Sequence, residues 1–233
     1  ALFTRLPFGN IAFRVAFSQA VALGLCSLFY AQLLNRLLVR TSVLKDAVRV
    51  LLVLGSCLLL SSAHAVFFQA QRPEVYALAL MTNLWVLERA TAIDLALPFF
   101  QPRRVAMMGF AFGLGLANHH LLTLLLLPAL APILAKVVRE HRFKALLPGL
   151  VMCLVGLSLY LYLPLRALSD AEFNLGNPRT WSNFWWVVSA QAYQGTHALQ
   201  ATSLTHRFFE VIEVLLTDLG AFTLALSALG IWL

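Results

Sequence analysis

The chain has 233 residues, 61% of them hydrophobic and 12% charged, with a mean hydropathy of +0.81. A water-soluble domain carries about 25% charged residues. A soluble core is therefore excluded as the place where this much apolar surface is hidden, and a bilayer is the expected solvent. The formal charge of +7 acquires meaning only when divided between two sides of a membrane, and it does not mark a nucleic-acid binder.

In chain order, runs of roughly 20 apolar residues predict spanning helices at 11–35, 43–63, 75–93, 105–119, 121–136, 146–166 and 215–233. The fourth and fifth form a nearly continuous run, too long for one crossing of a ~30 Å hydrocarbon core. A hairpin turning at Asn118-His119-His120 is expected instead. Loops 36–49 (Arg36, Arg40, Lys45, Arg49), 88–104 (Arg89, Arg103, Arg104) and 136–144 (Lys136, Arg139, Arg142, Lys144) then share one side with eleven basic residues. The other side holds six: Arg5, Arg14, Arg72, Arg166, Arg179 and Arg207. The positive-inside rule puts the first group in the cytoplasm. The expected fold class is all-α, a polytopic transmembrane helix bundle of about seven spans with its N-terminus outside. Cys26, Cys57 and Cys153 fall inside apolar runs and read as small buried hydrophobes, not as a disulfide or metal set. The first residue is not Met and the closing ALGIWL is apolar, so both ends are expected to continue in a longer protein.

This sorting gathers 69–76, 118–120 and 167–214 on the outer side, and these pieces hold nearly all the unusual polar residues. In QAQRPEVYALAL, Pro73 and Glu74 fit an ordinary helix start: the missing N–H costs nothing there, and the carboxylate meets the positive end of the dipole. Equally, Arg72 and Glu74 fit the wall of a cavity, since ionisable groups at membrane depth are costly and mark function. Asn118, His119 and His120 read as a polar turn that satisfies its own backbone, or as a ligand- or phosphate-binding rim. A metal site is disfavoured because adjacent histidines diverge on a helix and no further ligand set accompanies them. In LYLYLPLRAL, Tyr160, Tyr162, Pro164 and Arg166 form either an aromatic and arginine anchor at the interface or a phosphate grip through a guanidinium fork. Within 167–214, Trp181, Phe184, Trp185 and Val188 follow helical spacing behind Thr180 as N-cap, which suggests an amphipathic helix lying in the interface. A second stripe follows at Leu204, Phe208, Val211, Ile212 and Leu215, with Arg207, Glu210 and Glu213 on its wet face. His64, His197 and His206 read as interfacial polar groups and His141 as a solvated one. No internal repeat, Gly-rich phosphate loop or HExxH pattern appears.

Four blocks, VFFQAQRPEVYAL, GLGLANHHLLTLLLLPA, YLPLRA and NLGNPRTWSNFWWVVSAQAY, occur in order. With the opening LFTRLPFGNIAFRV they resemble a bacterial polytopic family long labelled as a domain of unknown function. That family is similar to transmembrane protein O-mannosyltransferases of the GT-C glycosyltransferase class. The resemblance covers nearly the whole chain. It implies transfer of a sugar from a polyprenyl-phosphate carrier to a protein or other acceptor on the outer face of the inner membrane, without a further cofactor. Glu74 and Tyr76 match the family's E-V-Y, and Asn118 and His119 its polar turn. Tyr162, Pro164 and Arg166 match its Y-x-P-x-R block, and Gly176, Trp181, Gln191 and Tyr193 fall in its outer-loop motif. Phe67 stands where relatives tend to carry Trp.

The resemblance also implies an upstream span and outer loop carrying the acidic residue that usually acts as base. On that expectation the main catalytic acid lies outside this chain, the piece is inactive alone, and Glu74 is a candidate for orienting substrate. The sites implied are Arg72 and Arg166 for the donor phosphate, Glu74, Tyr76, Asn118 and His119 for sugar or acceptor, His120 and Tyr162 as further substrate-binding residues, and the helix at 180–193 with Trp181, Gln191 and Tyr193 for lipid access. Two rival classes remain at the level of sequence. A transporter or lipid flippase also wants intramembrane charge but usually shows inverted repeats. A non-catalytic envelope-assembly subunit would bind no lipid carrier.

Overall fold

With lipid as the solvent, backbone polar groups must be satisfied inside their own segment, which favours helices. The computed structural model describes residues 3–41, 45–72, 74–96, 100–169, 174–191, 205–206, 208–214 and 216–217. Among them every regular element is helical, as the composition predicts. The α-helices are α1 (Ile11–Thr41), α2 (Asp46–Ser62), α3 (His64–Gln71), α4 (Tyr76–Asp94), α5 (Pro102–Leu124), α6 (Leu127–His141), α7 (Leu147–Leu157), α8 (Tyr162–Leu168) and α9 (Trp181–Val188). Prolines sit in the opening turns of α5, α6 and α7, where the lost N–H has no helical partner to miss.

Three stretches, Ile11–Arg40, Pro102–Leu124 and Phe143–Leu168, are long and apolar enough to cross a membrane. The pair α2 and α3, bent by 61°, makes a fourth if taken as one broken span. Seven spans are thus not reached among the described residues, and 215–233 lies almost wholly outside them. The predicted span at 75–93 does form a helix, α4. Its Thr82, Asn83, Glu88 and Arg89 lower its hydropathy, and of these Thr82 and Glu88 are buried within the protein.

By contacts the chain divides into two units, Ala1–Ser62 with Val66–Leu159, and Ala63–Ala65 with Tyr160–Leu233. The first is built around α4, which packs on α1, α5 and α6. Val86, Ala90 and Ile93 of α4 meet Val105, Met108 and Ala111 of α5, and Leu130 and Val137 of α6, in one buried core. By contrast α2 buries no residue fully. Asn118 of α5 lies against the start of α4, and Lys136 of α6 against its end. The chain therefore doubles back, and it does so at His119, within the expected 118–120 turn: His119 alone leaves helical geometry (φ −151°, ψ 85°), Gly115 on one side of it faces Thr123 on the other, and Leu125 and Leu126 keep helical backbone angles into α6.

The helix ends also correct the loop boundaries. Arg36 and Arg40 lie inside α1, Arg89 inside α4, and Lys136 and Arg139 inside α6. His141 is half-buried with its ring 4.7 Å from that of Phe100, not fully solvated.

The closest helix contact is between α5 and α7. A Cβ on Gly109 would stand 1.9 Å from the Gly149 carbonyl oxygen, and one on Gly113 2.2 Å from that of Cys153. Gly156 faces the α5 backbone in the same way. Small residues four apart let backbones touch where the hydrophobic effect gives helices little reason to associate.

In the second unit Thr180 caps α9 as expected, its Oγ1 accepting from the Asn183 N–H at 3.3 Å. Trp181, Phe184 and Trp185 cluster with ring centroids 5.4–5.8 Å apart, and Trp181 is 72% exposed. Gly176 adopts φ +66° and sits where a Cβ would lie 2.7 Å from the Trp186 ring, so both conformation and space require glycine there. Asn183 Nδ2 donates to the Asn177 carbonyl at 2.9 Å, and Arg179 Nε to the Ala167 carbonyl at 2.9 Å. Of the second stripe, Phe208, Val211 and Ile212 are helical and exposed. Leu204, Arg207 and Leu215 lie outside the described residues.

Gly109→Ala should lower the unfolding midpoint in detergent, by an amount at or above about 1–3 kcal/mol for overpacking. Gly55→Ala, where nothing stands within 4 Å of the added methyl, should be neutral or stabilising by up to about 1 kcal/mol. Equal midpoints for the two variants would refute the contact.

Candidate functional site

The start of α4 is where chemistry-bearing residues converge. Arg72 and Glu74 form an ion pair at 4.0 Å, with side chains 51% and 43% exposed. The Arg72 guanidinium also lies 3.9 Å from the centre of the Phe68 ring, a cation–π contact. The Glu74 N–H donates to the Arg72 carbonyl at 2.8 Å. Helix α4 begins at Tyr76 with no acid in its first turn, so Glu74 precedes the helix and is not the first-turn dipole partner. The tight turn between Arg72 and Glu74 keeps it outside. Pro73 lies outside the described residues.

One residue on, the Val75 carbonyl accepts from Asn118 Nδ2 at 2.9 Å as well as from the Ala79 N–H at 2.9 Å. Tyr76 and His119 bring their rings to 5.8 Å, and His120 stands 6.5 Å beyond His119. The sequence-predicted Arg72, Glu74, Tyr76, Asn118, His119 and His120 therefore share one end of the first unit.

His119 has a specific local task. Its extended backbone interrupts α5, and its Nδ1 accepts from the Leu122 N–H at 3.4 Å, three residues on. That is the geometry of an N-cap for the helical run that returns after the reversal, so the backbone group freed there is satisfied by a side chain. Asn83 of α4 completes the repair: its Nδ2 donates to the Leu122 carbonyl at 3.3 Å and its Oδ1 accepts from Thr123 Oγ1 at 3.1 Å. Thr123 is fully buried, in space left by Gly115. Of the readings open for Asn118 and His119, the backbone-satisfying turn is thus realised, while the imidazole still lies tilted beside the Tyr76 ring. Among the described residues no three His, Cys, Asp or Glu side chains stand together as a metal would need.

The second unit holds Tyr162, exposed on α8, and Arg166, whose Nη1 donates to Ser169 Oγ at 3.2 Å. Gln191 is exposed just past α9. Tyr193 lies outside the described residues.

A cluster that sequence reasoning missed lies at the opposite end of α4. Glu88 is wholly buried, with Arg36 of α1 at 3.0 Å and neighbouring Arg89 both ion-paired to it. At the tail of α4, past the apolar span, Asp94 joins Lys136 of α6 at 2.7 Å and Arg40 of α1 at 2.6 Å. Hydrogen bonding from Lys136, then from Arg40, outweighs partial burial and holds the Asp94 carboxyl below the usual carboxylate range. The signal was present: an acid within LWVLERATAID needs partners if that run is buried.

The fold and these clusters define a helical membrane protein whose central helix is tied by polar bonds at both ends. The pattern of the protein O-mannosyl-transferase TMEM260 N-terminal domain family matches residues 1–142. The chain belongs to that family. No curated protein and no solved structure matches it.

Glu88→Gln would leave two guanidiniums without their anion, and should lower stability by about 3–5 kcal/mol in detergent unfolding. Asp46→Asn, which removes an exposed i,i+3 pair, should change it by under about 1 kcal/mol. His119→Ala should cost about 1 kcal/mol as a lost cap, and His119→Asn should recover most of that. Equal destabilisation by Ala and Asn would show that His119 does not cap α5.

Proposed function

We propose that the chain is the membrane core of a glycosyltransferase that moves a sugar from a polyprenyl-phosphate carrier to a protein or glycan acceptor. The orientation proposed puts Glu74 and the 167–214 loop on the outer, periplasmic side of a bacterial inner membrane. The observation that supports this reading best is the gathering of Arg72, Glu74, Tyr76, Asn118 and His119 at the start of α4, within the segment matched by the O-mannosyl-transferase family.

In the proposed step the acceptor oxygen bonds to the anomeric carbon as a general base takes its proton. The anomeric carbon–oxygen bond breaks, and the electron pair leaves with the carrier phosphate. The half-exposed Glu74 carboxylate accepts hydrogen bonds from hydroxyl groups of the sugar or acceptor. Arg72 stands 4.0 Å from that carboxylate as a loose partner that a ligand can displace. Tyr76 and His119 supply ring faces and edges against which a sugar ring can lie. A guanidinium binds phosphate through a charge-assisted fork, and this role is assigned to Arg166, with Arg72 as a second contributor. Tyr162 and the Trp181 helix, with Gln191 and Tyr193 beyond it, are assigned to the approach of the lipid carrier.

The test is transfer from radiolabelled polyprenyl-phosphate sugars in membranes containing the full protein. Glu74→Gln and Arg166→Ala should each lower transfer at least about tenfold, and Glu74→Gln by about a hundredfold or more if the carboxylate itself takes the proton. Expression should be unchanged. Near-wild-type transfer in both variants would remove this site assignment. No transfer from any donor would turn the reading toward a transporter or an assembly subunit.

A further inference from the structure

Far from the start of α4, the first unit carries a groove of about 380 Å³ between α5, α6, the 3₁₀ turn at Phe143–Leu146 and α7. Met108, Phe112, Leu130, Leu134 and Leu147 line it with hydrocarbon, and Lys144 is the one charged residue on its wall. The groove follows from the glycine contact. Because α5 and α7 meet backbone to backbone at Gly109 and Gly149, the larger side chains of α6 close on them from one side only. Its volume falls within the roughly 300–1,000 Å³ usual for small-molecule sites.

Lys144 and Arg142 are exposed, and neither is ion-paired to any described residue. Nearby Lys136 is already committed to Asp94. This end of the bundle is also the one that the distribution of Lys and Arg assigns to the cytoplasm, where anionic lipids attract basic segments and basic pockets between helices take lipid headgroups.

We propose that this groove is a binding site for an anionic membrane phospholipid, with one acyl chain along Met108, Leu130 and Leu134 and the phosphate at Lys144. Hydrocarbon walls in a membrane are matched by a lipid chain and not by water. The Lys144 ammonium, unpaired among the described residues, selects an anionic headgroup over a zwitterionic one. The site is separate from the residues proposed for sugar transfer and does not depend on that function.

The experiment is native mass spectrometry of the full chain released from mixed micelles of phosphatidylglycerol and phosphatidylcholine. The wild type should retain one phosphatidylglycerol in preference to phosphatidylcholine. Lys144→Gln should weaken that retention roughly fivefold. Leu150→Trp, at an exposed position on the groove wall, should obstruct the chain and abolish retention without moving the unfolding midpoint. Leu134→Phe serves as a second obstruction should Leu150→Trp lower the midpoint. No preference in the wild type would overturn the proposal. Loss with Lys144→Gln alone, or with the obstructing variants alone, would overturn it as well, because chain and headgroup are both required.

Discussion

The buried carboxylate of Glu88 is the constraint around which the first unit is arranged. A carboxylate removed from water is tolerable only with opposite charge and hydrogen bonds close at hand. Arg36 and Arg89 supply both. Because Arg36 comes from α1, the pair sets the height at which α1 passes α4. Six residues on, Asp94 repeats the arrangement with Arg40, again from α1, and adds Lys136 from α6. Three helices are thus registered at one end by two carboxylates on a single helix. A lipid-facing leucine surface has no such power, since lipid tails are as apolar as leucine.

The other end of α4 is fixed by weaker, uncharged bonds to backbone. Asn118 holds the Val75 carbonyl, Asn83 holds the Leu122 carbonyl, and His119 holds the Leu122 N–H. His119 and Asn83 take backbone groups beside the reversal, while Asn118 adds a second bond to a carbonyl that already accepts from the Ala79 N–H. Arg72, Glu74 and the rings of Tyr76 and His119 stand beside these bonds. Half-exposed charged groups on a fixed backbone are what binding a polar substrate asks for. In this sense Asn118 and His119 serve structure and site together: by fixing the turn they fix where Tyr76 and Glu74 stand.

Much of this was legible in the residues. Helical class followed from composition, Thr180 from its capping chemistry, and the meeting of 69–76 with 118–120 from the parity of the charges. Less visible was anything depending on which helix faces which. Arg36, Arg40 and Lys136 read as loop charges because an apolar run ends visibly at its first basic residue, whereas the helix does not. Glu88 passed unremarked inside a predicted span, although its type alone demanded a partner. The GFAFG spacing at Gly109 and Gly113 was in plain view, but it acquires meaning only opposite Gly149 and Cys153. The reversal at His119 was legible for a different reason: polar residues mark where backbone groups need help, and Asn118-His119-His120 interrupt an apolar run too long to cross once.

The two ends of α4 differ in what they ask of their surroundings. At the Glu88–Asp94 end the acids are each matched by two cations, and the surplus positive charge at Arg142 and Lys144 lies outside those pairs, beside an apolar groove. At the Glu74 end one acid and one guanidinium face each other at 4.0 Å, a loose pair whose members can exchange partners with a ligand at little cost. A tight buried pair resists such exchange because either partner would be left charged and dry. Strength of pairing thus separates the end that holds the bundle together from the end suited to binding. It also explains why the residues proposed for substrate lie at the mouth of the helix and not in its more highly charged tail.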